Sequence, residues 1–190
     1  MVPGQRLAET DLALRFNVGR NAVREAMQQL AGRGVVDLSR NRSPAIRQFD
    51  IDETLEVLDV ASLLSRFVAE QAAARYEAED HAHLLAATLE MLEEADRIDE
   101  PGMFSRARRH FYRTLLLIGG NRELQRLFPA VGMHIIYAQY QTRQLRGVRL
   151  NDYRQIMDAV AARDVKVAEM ASRAHVERVR QVILECSKRV

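Results

Sequence analysis

With a single cysteine, Cys186, the chain can close no internal disulfide, which suits a reducing compartment and makes a buried, inert thiol the expected role. No apolar run approaches the ~18 residues of a membrane span, and no signal peptide stands at Met1. A net charge of only +2 excludes a polybasic coat over the whole surface. Glycine-rich phosphate loops, nucleophile elbows and paired-cysteine motifs are missing, so there is no visible catalytic signature. Lysine is nearly missing too, 2 residues against 26 arginines. Such a bias follows genome composition as readily as function and carries no weight. These absences leave a soluble, cytoplasmic protein that does not enter a membrane. Hydrophobic residues make up 47% and charged residues 28% of 190 positions, enough for a core in one or two domains.

Charge is unevenly placed. Residues 1–50 carry eight arginines against five acidic residues, whereas residues 51–190 carry twenty basic against twenty-one acidic. A basic head, 1–49, therefore precedes a nearly neutral body, 50–190. In the head, Glu9–Phe16 reads as a short helix with Leu12 as a core position, and Asn17-Val18-Gly19 breaks it. Arg20–Arg33 is a second helix. Its Val23, Ala26, Met27 and Leu30 recur at i, i+3, i+4 and i+7, one apolar face. Gly34 ends it. Val35–Leu38 and Ala45–Phe49 read as strands joined by a turn at residues 41–44.

The body shows no alternating strand pattern and no repeat. Helices are expected over Ile51–Tyr76, with Leu55, Leu58, Leu63 and Phe67 apolar, then over His81–Asp96 and Met103–Ile118. Further helices are expected over Arg122–Leu145, Asn151–Arg163 and Asp164–Ser187, with Asn151 and Asp164 as N-caps. The fold class is mainly α: a winged helix-turn-helix followed by an all-α bundle of six to seven helices.

Two helices across a three-residue turn have helix-turn-helix spacing, and the second should enter a major groove by its N-terminal end. Gly19, Arg20, Asn21 and Arg24 occupy that end. Arginine can pair bidentately with guanine or clamp a phosphate, and Asn21 could read adenine. Arg40, Asn41 and Arg42 would form a wing tip. A plain solvated basic face is the competing reading.

The run Val2–Glu9, followed by Asp11-Leu12-Ala13, Val18–Ala26 and Leu30 to Val36, resembles the winged helix-turn-helix of the GntR transcription regulators. Phe111, Gly120–Leu124, Ile156–Val160 and Ala168–Met170 to His175-Val176 resemble the helical FCD ligand-binding domain of the FadR-like branch. The resemblance implies a homodimer on a double-stranded, pseudo-palindromic operator, typically a repressor released by a small effector. It places DNA contacts at Thr10, Arg20, Arg24, Arg40 and Asn41. Asn41 stands where glycine is usual, and asparagine tolerates the left-handed turn. Gly19 stands where Ser or Thr is usual, which removes a cap and phosphate contact worth about 1 kcal/mol. Family members carry a further helix ahead of the Pro-Gly stretch. Only Met1 and Val2 precede Pro3 here, so either the start lies upstream or the form is shortened. Val23, Met27 and Leu30 then lose cover, and a loose head is expected.

The resemblance also implies a divalent metal on one Asp and three His. At those positions stand Arg108, Tyr112, Tyr153 and His175. Only His175 keeps its ligand type, so no metal cofactor is expected. The same four residues suit a small carboxylate effector held directly by Arg108, with hydroxyls from the tyrosines. Two competing readings remain: Arg108 paired internally with Glu169 or Asp158, or an empty pocket with Arg108 in solvent. His134 is expected to be a satisfied core or interface residue. Two rival classes stay open, a sensor with a degenerate head and, more remotely, a helical enzyme.

Overall fold

The computed structural model describes residues 2–32, 34–38, 43–98, 100, 102–140 and 143–188. The protein is mainly α. Among the described residues it has two short head helices, α1 (Glu9–Phe16) and α2 (Arg20–Gly32), and a two-stranded wing of β1 (Val36–Asp37) and β2 (Ala45–Ile46). Seven helices follow: α3 (Ile51–Arg75), α4 (Ala78–Ile98), α5 (Met103–Gly119), α6 (Arg122–Leu127), α7 (Met133–Gln139), α8 (Arg143–Ala161) and α9 (Val165–Ser187).

In the head, α1 ends on Asn17, whose φ of 52° is the left-handed conformation that asparagine tolerates. Gly34, at φ +70°, turns the chain after α2, and Val35 N–H closes on the Leu30 carbonyl. Val36 pairs with Ile46 antiparallel. The segment before α1 adds to the sheet, because Gly4 and Leu7 donate to the Ile46 and Pro44 carbonyls and Ile46 donates to Gln5. Val23 and Met27 are buried with Leu7 and Val36, and Leu12, Ala13 and Ile46 close the cluster. Val23 and Met27 are therefore covered, contrary to expectation, while Leu30 is exposed. Leu7, supplied by the extended segment, is what seals the other two.

Asp50 caps α3 by accepting from Glu53 N–H at 2.8 Å. The buried face of α3 runs through Leu58, Ala61, Ser65, Val68 and Ala72, spaced three and four. Leu63 and Phe67, apolar like Leu58, lie outside that face and are exposed. Small residues dominate because α5 and α9 both pack closely on this helix. Gly120 and Asp164 end α5 and cap α9 as the sequence suggests. Cys186 is a free thiol, half-buried rather than buried.

The expected single helix Arg122–Leu145 is three pieces. Asn121 caps α6, a 3-10 turn covers Phe128–Ala130, and α7 begins at Met133. Proline inside a helix costs ~3 kcal/mol, and Pro129 sits where the helix yields. Gly132 is the next break. A Cβ there would lie 2.7 Å from the Phe49 ring, so only glycine lets the two segments approach. Asn151 is no cap. It lies inside α8, whose core stripe Leu145, Arg149, Asp152, Tyr153, Ile156 and Val160 runs unbroken on either side.

Candidate effector pocket and nucleic-acid interface

The N-terminal end of α2 is open to solvent. Gly19, Arg20, Asn21 and Arg24 are exposed there, and Thr10 is exposed on α1. Arg40 and Asn41 lie outside the described residues. Arg24 is not idle. Its Nε and Nη2 bind the two carboxylate oxygens of Glu9 at 3.0 and 2.7 Å. That fork holds the Glu9 carboxyl below the ordinary carboxylate range. An exposed ion pair is weak, so a phosphate or guanine can displace Glu9. Glu9→Gln is expected to raise duplex affinity roughly three- to tenfold and to steepen its salt dependence by about one counterion. Anisotropy titrations at two salt concentrations check it; unchanged affinity and slope would mean that Arg24 makes no contact with the duplex.

Inside the bundle, α5 delivers Arg108 and Tyr112 four residues apart on one face, α8 delivers Tyr153 and α9 delivers His175. All four are buried, with Tyr153 and His175 fully so. They meet through their rings: Tyr112 and Tyr153 are 6.2 Å apart edge to face, and Tyr153 and His175 are 4.8 Å apart. The Arg108 guanidinium carbon lies 5.0 Å from the Tyr112 ring and 4.0 Å from the Tyr137 ring. Phe111 stacks on Tyr153 at 4.3 Å and walls the group.

Neither internal partner considered for Arg108 reaches it. Glu169 is taken by Arg66 at 2.6 Å, and Asp158 is exposed. No carboxylate among the described residues pairs with Arg108. It does not swing into solvent either, being only 6% exposed. Arg108 Nε, Tyr137 Oη, Tyr153 Oη and His175 Nε2 are buried and make no hydrogen bond among the described residues. A buried polar atom left without a partner costs about 1–3 kcal/mol, and these four belong to side chains gathered around the Tyr112, Tyr137 and Tyr153 rings. His134 was expected to be satisfied; its Nε2 is also buried and unbonded, a correction. Burial, with Arg108 and Arg109 nearby, holds its imidazole below the usual range.

Several neighbours do not show in the sequence pattern. Arg149 of α8 stands 4.1 Å from the same Tyr137 ring and 5.5 Å from the Phe104 ring. Asp152 of α8 is 3% exposed; it binds His175 Nδ1 at 2.9 Å and takes both donors of Arg178 at 3.1 and 2.6 Å. Burial would raise the Asp152 carboxyl, but the bonds from His175 and Arg178 overcome it and hold it low. Burial pushes the His175 imidazole down, Arg108 and Arg149 add to that, and Asp152 opposes it. Arg108 and Tyr112 also line a cleft of ≈ 820 Å³ between α5 and the α6–α7 segment, beside Phe128, Met133 and His134. Its other basic lining residues, Arg106, Arg109 and Arg113, come from the same helix.

This donor set does not fit a divalent metal. Arg108 is a permanent cation, burial raises the Tyr112 and Tyr153 hydroxyls so that they stay protonated, and His175 alone remains. No group of three His, Cys, Asp or Glu with metal-binding geometry occurs among the described residues.

A helix-turn-helix with a wing, joined to a helical bundle around a buried polar cluster, defines a DNA-binding regulator with a sensory body. The chain belongs to the gntR family of bacterial regulatory proteins: residues 1–46 match that family's model, and residues 56–178 match the FCD domain. It is thus a transcriptional regulator and not an enzyme. It is 25% identical over 175 residues to the probable D-xylose utilization operon transcriptional repressor of Paenarthrobacter nicotinovorans, covering 91% of this chain and 76% of that protein. It is 27% identical over 201 residues to the repressor NanR of Citrobacter rodentium, covering 93% and 76%. In fold it matches McbR/YncC of E. coli, with a TM-score of 0.82 at 17% identity over 98% of this chain and 90% of that one. No helix among the described residues is long and apolar enough to cross a membrane.

Proposed function

We propose that this protein is a dimeric repressor that releases its operator when a small carboxylic acid occupies the cluster around Arg108. The observation that carries this reading is Arg108 itself: a buried, permanent cation with no carboxylate partner among the described residues, at the edge of a cleft. Such a charge is strongly unfavourable unless an anion joins it. The acid sits on Arg108, with the Tyr112, Tyr153 and His175 side chains around it and Tyr137 and Arg149 completing the walls. Operator contacts come from Thr10, Gly19, Arg20, Asn21 and Arg24, with Arg40 and Asn41 as the wing. The chain divides at 49/50, where the Asp50 cap starts α3 and the head keeps its own small core.

A single helix-turn-helix reads too few base pairs, so two copies are needed on one operator. The exposed stripe Val60, Leu63 and Phe67 on α3, spaced three and four, supplies an apolar face for the second copy. Leu63→Glu leaves the core untouched and is expected to turn the dimer into a monomer by light scattering. A variant that stays dimeric places the interface elsewhere.

The reading is tested by anisotropy of the full chain on duplex from its own upstream region and on a scrambled duplex, at two salt concentrations, with and without a panel of carboxylic acids. Salt-sensitive preference for the native duplex, lost on adding one acid, supports it. Equal weak binding to both duplexes favours the sensor without a working head.

A further inference from the structure

We propose that the outer side of α5 holds a second ligand, a phosphate monoester with an apolar body, whose phosphate sits on Arg106, Arg109 and Arg113 and whose body lies along the apolar part of the cleft. The proposal does not rest on the acid-binding reading above. Arg108 borders the same cleft, but the charges that carry the argument stand on the exposed face of the helix.

Arg106, Arg109 and Arg113 are spaced three and four, so they fall within an arc of about 60° on successive turns of α5. All three are exposed, and no side chain among them makes an ion pair or a hydrogen bond to a described residue. Other exposed arginines of the bundle are matched: Arg97, Arg126, Arg154 and Arg163 each hold a carboxylate. Like charges three and four apart on a helix repel one another. Nothing around the cleft offsets them, because no aspartate or glutamate among the described residues lines it. From the α7 side the lining adds His134, whose Nε2 is buried without a bond. Burial, with Arg108 and Arg109 adding to it, holds that imidazole below its usual range, so Arg109 and His134 feel each other within the cleft. An anion set between them relieves both.

The number of forks selects the anion. A carboxylate brings one charge and two oxygens, enough for a single guanidinium. A phosphate monoester brings a charge of about −1.5 to −2 and three terminal oxygens, which suits three guanidiniums side by side. Beyond Arg113 the lining changes character. Leu116 and Leu117 follow it along α5, and Met91 of α4 and Phe128 add to the apolar wall. Leu117 and Met91 are exposed there. Bare phosphate leaves that wall uncovered, and a sugar phosphate sets hydroxyls against it; an apolar body removes it from water. At ≈ 820 Å³ the cleft has the size that takes a whole small molecule.

The test is calorimetry of the full chain with phenyl phosphate, inorganic phosphate, phenol, benzoate and glucose 6-phosphate. Phenyl phosphate is expected to bind about tenfold or more tighter than each of the other four. Arg109→Gln removes one exposed charge without touching the core, and is expected to weaken phenyl phosphate about fivefold or more. The His134 ring resonances are expected to shift when phenyl phosphate is added to the unaltered protein. Equal binding of phenyl phosphate and benzoate overturns the phosphate assignment; if Arg108→Met then abolishes both and Arg109→Gln neither, the acid reading stands alone. Equal binding of phenyl phosphate and glucose 6-phosphate overturns the apolar body. No binding of phenyl phosphate, binding unmoved by Arg109→Gln, or unshifted His134 resonances overturns the second site and leaves the reading at Arg108 to its own test.

Discussion

Arg108→Met is expected to abolish acid binding and, at the same time, to stabilise the ligand-free protein. The two effects share one cause. The Arg108 and Arg149 guanidinium carbons both lie near the Tyr137 ring, so they are no more than about 8 Å apart. At an effective dielectric near 20 their repulsion is about 2 kcal/mol. Removing one charge and leaving an apolar side chain of similar length relieves that repulsion and the cost of burying Arg108 Nε without a bond. A rise in melting temperature of roughly 2–8 °C follows for a chain of this size. Without the charge, an acid loses a charge-assisted pair worth roughly 2–5 kcal/mol, so Kd rises from about thirtyfold to several thousandfold. Calorimetry and thermal melts on the same preparation give both numbers. A fall in melting temperature would mean that Arg108 holds the bundle together and would remove the main support for the pocket.

Arg20→Ala is expected to strip operator recognition while leaving the fold intact. Arg20 is exposed at the first turn of α2 and makes no contact on which the head core depends. If it reads a guanine, the loss is about 1–3 kcal/mol per half-site, twice per dimer, and preference at that base relaxes. If it clamps a phosphate instead, affinity falls equally on all sequences and the salt dependence becomes shallower by about one counterion per half-site. Binding to a set of single-base operator variants separates the two. Affinity unchanged on every duplex would remove Arg20 from the interface.

The parts of this architecture that local chemistry decides were readable in advance. Asn17, Gly34, Gly120 and Asp164 end or cap helices through their own side chains or lack of them, and each does so in the structure. Arg108 and Tyr112 share a face of α5 because they stand four residues apart, whereas their meeting with Tyr153 of α8 and His175 of α9 was implied by the family resemblance alone. What failed was decided at a distance. Leu63 and Phe67 are as apolar as Leu58, and which of the three is buried was settled by α5 and α9 packing on the other side of α3. The break at Gly132 answers to Phe49, more than eighty positions earlier in the chain. A helix start at Asn151 would divide α8 between Arg149 and Asp152, which in fact share one stripe with Tyr153.

The Gln139 side chain brackets the backbone of Phe49, accepting from its N–H at 3.1 Å and donating to its carbonyl at 2.8 Å. Phe49 is the last residue before the Asp50 cap, and Gln139 is two residues along α7 from Tyr137, the ring on which Arg108 rests. A helix of seven residues is too short to bend between those points. Both residues sit in its last turn, so the ring against Arg108 and the tether of the DNA-binding head are carried on one rigid piece, and a displacement of one passes to the other over two residues.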